Sequence, residues 1–480
     1  MRGIRVPAVV GCLLVVAGCA TVVPRGAASG VIDVPTAWSA IDGAMPGADA
    51  SLAQWWLRFN DPLLGRLVAQ ALLANTSVQS AQAALRQARA LRDVAAARLL
   101  PTLGGSVSAQ HGTTDGHSNG DSFKAGLDAS WEPDIFGVNR SARDAGDATA
   151  RASAASLGDV RVSIAAEVAL NYITLRGAQA RLAIGDANLA SQLETLQITQ
   201  WRLQAGLVTS LEAEQARAAA EQTRAQLPSL RTSIEQTRHA LAVLTGQAPA
   251  ALAGVLAASG PVPQAADDLA LSIPAETLRQ RPDVRAAEYR VGAALANVAQ
   301  AEAARLPSFK LGGSVGLNAL TLGGLTHGAT VVTALLASVS LPVFDGGALR
   351  AQVRAQQAAL EQAEATYQAT VLTALKDVEN ALVALRGDRE RLLSLQQAAE
   401  AAANASLLAR QRYSSGLVDF QVVLETQRTQ LSTQDSVASA RAEVGADHVR
   451  LYKALGGGWQ PEGGTVPLAP NNDANRTSRS

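Results

Sequence analysis

Residues 97–107 read ARLLPTLGGSV and residues 304–315 read ARLPSFKLGGSV, so one segment occurs twice in the chain. The correspondence continues at later positions, with LRG at 175–177 and 385–387, and GLV at 206–208 and 416–418. A repeat of this length predicts a duplicated structural unit rather than a solenoid. Each unit is predicted to join one β-hairpin to helices too long for an ordinary globular domain. That combination indicates an elongated tube and therefore transport.

The composition excludes several functional classes. The 480 residues contain 41 basic and 41 acidic side chains and only 4% aromatic residues, so no basic surface for nucleic acid is indicated. No hydrolytic, phosphate-binding or metal-ligating pattern is recognisable, and we expect no enzyme, no cofactor and no metal site. Five scattered histidines are interpreted as solvated loop or helix-surface residues: His111, His117, His239, His327 and His448.

The N-terminus has the features of an exported lipoprotein. Arg2 and Arg5 precede an apolar run, which predicts a signal peptide over residues 1–18. The order Val-Ala-Gly-Cys at 16–19 resembles a bacterial lipobox, which implies cleavage before Cys19 and a lipid on its sulfur. Ala20, where an aspartate would imply inner-membrane retention, favours the outer membrane. The alternative is an ordinary signal peptide with a coincidental cysteine.

Four segments alternate between apolar and polar residues, as half-exposed strands do. They form two predicted hairpins, 102–132 and 308–341, and the first hairpin has a polar loop at 112–121. The polar face carries Lys124 and Asp128, which suit a wet lumen. Each strand has about 9–11 residues, the length that a tilted strand needs to cross a bilayer. The alternative is an ordinary half-exposed sheet.

Four strands cannot close a barrel alone. An open sheet edge in lipid leaves backbone hydrogen-bonding groups unpaired, so the barrel must be shared among chains. Two chains would give eight strands and an interior filled by side chains. Three chains would give twelve strands and room for a channel.

Two helical patterns are exceptionally long. One follows Gly137 as far as Gly206, and the other runs from Gly347 to Ser415, with apolar stripes typical of coiled coils. At 1.5 Å per residue each helix would be about 100 Å long. The predicted organisation begins with a tether and equatorial segment at 19–54, and it ends with a C-terminal equatorial and disordered tail at 457–480. Between them lie a first repeat at 55–246, a connection at 247–273 and a second repeat at 274–456. A single helix is predicted before each hairpin, at 62–100 and at 274–306.

Four stretches carry a family resemblance: WWLRFNDPLL at 55–64, LRQRPDVRAAE at 278–288, the paired GLV turns, and LYKALGGGW at 451–459. The chain resembles the outer-membrane factors of tripartite efflux pumps, the TolC-like proteins, in their NodT and OprM lipoprotein branch. The resemblance implies an α+β fold, with a homotrimer that forms a long α-helical coiled-coil barrel and a twelve-stranded transmembrane β-barrel. It also implies an equatorial belt.

The resemblance places the functional residues at the helix turns that would form the periplasmic mouth. Glu425, nine residues past Gly416, stands where family members carry an aperture carboxylate. In a three-fold bundle it would make a ring of three carboxylates that attracts cations. Asp419, Phe420 and Gln421 occupy constriction or lumen-lining positions. The alternative for the two acidic residues is solvated charge on a helix surface.

The resemblance further implies a hydrogen bond from Tyr413 to Glu212, six residues past the first turn glycine. TolC has a basic latch residue two positions after the second turn glycine, where this chain has Val418. We therefore expect the closed state to depend more on packing than on ion pairs. The expected adaptor-docking residues are those of the two turns: Gly206, Leu207, Val208, Gly416, Leu417 and Val418.

The function implied is that of a passive exit duct in the outer membrane that extends into the periplasm and contacts outer-membrane lipid. Its expected partners are a periplasmic membrane-fusion adaptor and an inner-membrane transporter of the RND class, or of the ABC or MFS class. Two alternatives stay open. The duct could serve a type I protein-secretion system, or the chain could be a lipid-anchored coiled-coil scaffold without a pore.

Overall fold

The computed structural model describes residues 34–39, 52–114, 117–265 and 274–460. The predicted signal peptide, the lipidation site Cys19 and the tail beyond residue 460 lie outside the described residues. Part of the predicted tether is described, and there Trp38 is buried against Val378 and Leu382. The backbone N–H of Ser39 donates to Glu379 Oε1 at 2.7 Å, so this part of the tether is attached to a helix.

The helices form two matching series. The first comprises a short 3-10 helix at Leu52–Phe59, then α1 Pro62–Ala74, α2 Thr76–Ala97, α3 Val138–Gln204 and α4 Ser210–Leu244. The second comprises α5 Pro274–Gln280, α6 Pro282–Ala303, α7 Ala348–Ser414 and α8 Phe420–Ala454. Helices α3 and α7 each have 67 residues, and α4 and α8 each have 35. The duplication inferred from the sequence is thus matched helix for helix.

The predicted single helices 62–100 and 274–306 are wrong, because each is broken once. At the first break the Asn75 side chain accepts hydrogen bonds from the N–H groups of Ser77 (2.8 Å) and Val78 (3.4 Å) and donates to the Leu244 carbonyl at 2.9 Å. It therefore caps α2 while it contacts the end of α4. At the second break Pro282, which has no N–H, starts α6.

The four strands form one antiparallel sheet. They are β1 Thr102–Thr114, β2 His117–Trp131, β3 Ser308–Ala319 and β4 Thr330–Ser340, hydrogen-bonded in that order. Most of the polar segment 112–121, predicted as a loop, belongs to β1 and β2, with a register irregularity at Gly112/Thr113. The backbone ladder therefore continues where the apolar alternation has stopped.

The strand register gives the sheet one apolar and one polar face. Leu127 lies opposite Val315, and Asp128 lies opposite Ser314. On β4 apolar residues occupy both faces, since Val331 and Val332 are neighbours, which explains its weaker alternation in the sequence. Within this chain β1 and β4 are the two edges of the sheet.

The sequence motifs at 55–64 and 451–459 pack against each other in the main core. Trp55 stacks on Tyr452 with ring centroids 5.4 Å apart. A Cβ on Gly457 would lie 2.9 Å from a Trp55 ring carbon, so the close approach requires glycine there. Asp61, which caps α1, also accepts a hydrogen bond from the Tyr172 hydroxyl at 2.8 Å. The motifs therefore join the N- and C-terminal segments to α3.

The LRQRPD motif is a second connection between segments. Arg281 binds Asp283 through two hydrogen bonds of 3.0 and 2.7 Å. Its Nη1 also donates to the carbonyl of Ala454 at 2.9 Å, at the C-terminal end of α8. One buried guanidinium thus ties the start of α6 to the last turn of α8.

The interpretation of His448 as a solvated residue is wrong. It is only 4% exposed, and its ring lies edge-on to Phe59 with centroids 6.5 Å apart. Its Nε2 lies 2.9 Å from an Arg389 guanidinium nitrogen.

Among the described residues, none of the helices combines the length and hydrophobicity needed to cross a bilayer.

Candidate gate at the helix turns

Each of the long helices α3 and α7 is followed, two residues after its last residue, by a glycine in the left-handed conformation. Gly206 has φ 70° and Gly416 has φ 73°. The N–H of Leu207 donates to the Arg202 carbonyl at 2.8 Å, and that of Leu417 donates to the Arg412 carbonyl at 2.9 Å. This hydrogen bond across a left-handed glycine closes the last helical turn and reverses the chain. The two GLV segments are therefore equivalent helix ends.

The second turn is held by a small aromatic cluster. Tyr413 and Phe420 lie with ring centroids 5.4 Å apart, and they are 9% and 1% exposed. Ala216, Ala219 and Val423 complete the packing, which joins α7, α8 and α4. The prediction that Phe420 lines a constriction or lumen is wrong, because its side chain is buried inside one chain.

The expected hydrogen bond from Tyr413 to Glu212 is not present. The Tyr413 hydroxyl is buried and has no hydrogen-bond partner among the described residues. Glu212 instead accepts the N–H of Thr209 at 3.0 Å. A carboxylate in the first turn of a helix satisfies the free N–H groups there, and this local contact replaces the expected long-range one.

Arg202 supplies a connection that the sequence analysis missed. Its Nη1 donates to the Tyr413 carbonyl at 3.3 Å and its Nη2 donates to the Ser414 carbonyl at 3.0 Å. A cation at a helix C-terminus is favourable, because the last carbonyls have no helical partner. A signal was available, since Arg202 precedes Gly206 by the four residues that separate Arg412 from Gly416.

A second connection joins the return helices. Gln421 Nε2 donates to Gln215 Oε1 at 2.9 Å. Gln215 follows Gly206 by nine residues, which is the position of Glu425 relative to Gly416. Duplicated positions thus carry an amide in one copy and a carboxylate in the other.

The remaining predicted site residues are on the surface of the chain. Asp419 and Glu425 are exposed, and in the described part of the chain neither has an ion-pair partner. Leu207 and Leu417 are each 73% exposed at the tips of the turns, while Val208 and Val418 are half-buried. The turns therefore present apolar tips and unpaired acidic side chains.

The arrangement of long helices, sheet and turns matches that of known proteins. A profile of the family described as "Outer membrane efflux protein" matches residues 67–247 and 273–457. The chain belongs to this family. The family resemblance stated from four short motifs is thus confirmed over most of the chain.

Members of the outer membrane efflux protein family match along most of their length. Nodulation protein T of Rhizobium leguminosarum bv. trifolii is 31% identical over 428 residues, which cover 87% of this chain and 91% of that protein. The pyoverdine export outer membrane protein OpmQ of Pseudomonas putida is 34% identical over 431 residues, covering 86% and 89%. The solved outer-membrane channel OprN superposes with a TM-score of 0.81 at 36% identity, covering 90% of this chain and all of that one.

Three predictions are confirmed by these matches. The chain is an outer-membrane factor of the NodT type, its α+β fold is that of an outer-membrane channel, and its location is the outer membrane. Its function is that of the outer-membrane component of an efflux system.

Proposed function

We propose that three copies of this chain form the passive exit duct of a tripartite efflux pump. The observation that carries the proposal is the four-stranded sheet, which has an apolar face and two unpaired edges, β1 and β4. Exposed apolar residues such as Val107 and Leu335 lie on that face. Pairing the edges among three copies gives twelve strands, which satisfies the backbone and leaves a lumen.

The helices form the periplasmic part of the duct. At 1.5 Å per residue, a 67-residue helix extends about 100 Å. In the proposed pump an inner-membrane RND transporter drives export through a periplasmic adaptor, with an ABC or MFS transporter as a variant. The exposed tips Leu207 and Leu417 support docking of the adaptor at the turns. The export of pyoverdine by the relative OpmQ supports small-molecule cargo.

The mouth of the duct is closed by contacts at the turns. Arg202 and the Gln421–Gln215 pair join the two helical hairpins of one chain. Asp419, just before α8, and Glu425 on α8 are exposed, and three copies of Glu425 form the charged ring. Three carboxylates at one level favour cations over anions. Lipidation of Cys19 anchors the N-terminus to outer-membrane lipid.

Planar-bilayer recording of the purified full-length protein tests the duct. We expect discrete conducting steps with no energy source, and native mass spectrometry should give three chains per particle. Glu425→Gln should lower the cation-to-anion permeability ratio, because it removes one charge per chain without a change in shape. Glu214→Gln, an exposed carboxylate on α4, serves as the matched control. A folded lone chain that conducts nothing would refute the proposal.

A further inference from the structure

Three carboxylates meet between α7 and α8, far from the turns. Asp388 comes from α7, and Glu443 and Asp447 lie about one turn apart on α8. One oxygen from each residue lies within 4.8 Å of the other two. The Asp447 residue is 0% exposed, whereas Asp388 and Glu443 are half-buried. Like charges this close require a positive partner.

The arginines around the cluster leave one buried oxygen unpaired. Arg450 Nη1 donates to Glu443 Oε1 at 2.6 Å and to Asp447 Oδ1 at 2.5 Å. Arg391 Nη1 lies 3.5 Å from Asp388 Oδ1. Asp447 Oδ2 is buried and has no hydrogen-bond partner in the described part of the chain. An unpaired buried carboxylate oxygen is costly, so Asp447 Oδ2 is a candidate ligand atom for a cation.

We propose that Asp388, Glu443 and Asp447 bind a divalent cation of the calcium type that cross-links α7 to α8. Ca²⁺ prefers oxygen ligands at 2.3–2.6 Å, so two of its ligands can be about 5 Å apart. The three ligand atoms lie within 4.8 Å of one another, a spread that one Ca²⁺ can span. Mg²⁺ demands near-ideal octahedral geometry and dehydrates reluctantly, so three carboxylates from two helices suit it less well.

The surroundings of the cluster supply room for the rest of the coordination shell. A half-open cavity of about 430 Å³ reaches the cluster at Asp447, and its lining includes Arg450 and Lys453 but neither Asp388 nor Glu443. Ca²⁺ takes six to eight ligands, so water from this cavity would complete the shell. The cavity also gives the ion a path from solvent.

A shared proton is the competing explanation for the carboxylate contact. Burial, opposed by Arg450 and reinforced by Asp388, raises the pKa of Asp447 to about 6. A proton and a cation would compete for the same carboxylate oxygens, so direct titration with calcium distinguishes the two explanations. The site is independent of the proposed gate and of the identity of the cargo.

Calcium titration of the full-length protein in detergent tests the site. The protein is stripped of metal at pH 7.5, and CaCl₂ is added in a calorimeter. We expect one Ca²⁺ per chain, an affinity at least tenfold lower for Asp447→Asn, and weaker binding of MgCl₂. Asp435→Asn is the matched control, since it is also an α8 aspartate paired with an arginine, at 2.7 Å from Arg181, but lies outside the cluster.

The calcium titration can contradict the proposed site in three ways. Absence of calcium binding by the unmodified protein, or equal affinity in the unmodified protein and Asp447→Asn, overturns the proposal. If Asp447→Asn fails to assemble, Asp388→Asn takes its place, because this carboxylate is only half-buried and has a weaker partner. A loss of affinity in Asp435→Asn equal to that in the cluster variants would also overturn it.

Discussion

The guanidinium carbon of Arg202 lies 4.5 Å from the ring centroid of Tyr413, and the same side chain donates to the Tyr413 carbonyl. Arg202 is in the last turn of α3, and Tyr413 is in the last turn of α7. One residue from the first repeat thus covers both the ring and the backbone at the helix end of the second repeat. This contact occupies the place that the family resemblance gives to a Tyr–Glu hydrogen bond.

Arg202→Ala should favour the open state of the mouth. Loss of the cation–π contact and of the hydrogen bonds to two carbonyls removes about 1–2 kcal/mol from the closed state. That is roughly a tenfold shift in the opening equilibrium. Single-channel recording should show a higher open probability or conductance. Arg217→Ala is the control, because Arg217 pairs with Glu214 on its own helix at 3.4 Å. Equal effects of the two changes would contradict this role for Arg202.

Tyr413→Phe and Tyr413→Ala should differ sharply. The hydroxyl is buried without a partner, so its removal should leave conductance unchanged and thermal stability equal or higher. Removal of the whole ring should destabilise the cluster with Phe420 by about 3–4 kcal/mol and raise conductance. Conductance traces and the temperature of unfolding separate the two variants. An increase in conductance with Tyr413→Phe would restore the Tyr–Glu hydrogen bond as the closing contact.

The sequence predicted large features well because periodicity over many residues determines them. The helices α3 and α7 and the alternating faces of the sheet follow from apolar spacing, and the turn glycines mark the helix ends. The partner of a single side chain was less predictable. Glu212 sits where a helix start offers it a nearby N–H, and this local contact prevailed over the long-range one.

Two other errors have a tertiary cause. Asn75 is a preferred N-cap residue and caps α2 locally, but apolar periodicity continues across it, and its amide also reaches the Leu244 carbonyl 169 positions away. His448 lies in a polar stretch, yet Phe59 and Arg389 cover it in the fold. Contacts between distant segments determine the burial of His448 and reinforce the break at Asn75, and the apolar spacing along one helix does not contain that information.

Gly246→Ala should destabilise the protein much more than Gly206→Ala. Both glycines have left-handed φ values, 71° and 70°, so an alanine costs about 1–2 kcal/mol of backbone strain at either site. Only at Gly246 would the new Cβ meet a backbone atom, 2.5 Å from the Ala74 carbonyl oxygen. We expect a further loss of about 1–3 kcal/mol there. Unfolding temperatures of the two variants provide the measurement, and equal values would mean that the end of α4 is not packed on α1 as described.

Arg281→Lys should lower the free energy of unfolding although it keeps the positive charge. A lysine cannot make both hydrogen bonds to Asp283 and also reach the Ala454 carbonyl, so a buried acceptor loses its donor. The expected loss is about 2–3 kcal/mol. The urea concentration that unfolds the protein measures it, with the exposed Arg279→Lys as the control. If both variants unfold at the same urea concentration, the guanidinium does not stabilise the junction of α6 and α8.

The contribution of Asp447 to stability in calcium-free buffer should become more favourable as the pH falls from 7 towards 4. Burial raises the pKa of Asp447 from 3.8 to about 6; Arg450 lowers it and Asp388 raises it further. Between these two pKa values the folded state therefore holds a proton that the unfolded state has released. The charged form is the one disfavoured by folding, and its penalty is fully present only above about pH 7 and is lost as the pH falls through 6 towards 4. Asp447→Asn carries no titrating group there and should lack this component. The unfolding temperatures of both proteins, measured from pH 4 to 8 with a chelator, should converge on acidification, and a constant difference between them would show that Asp447 does not titrate in the native state.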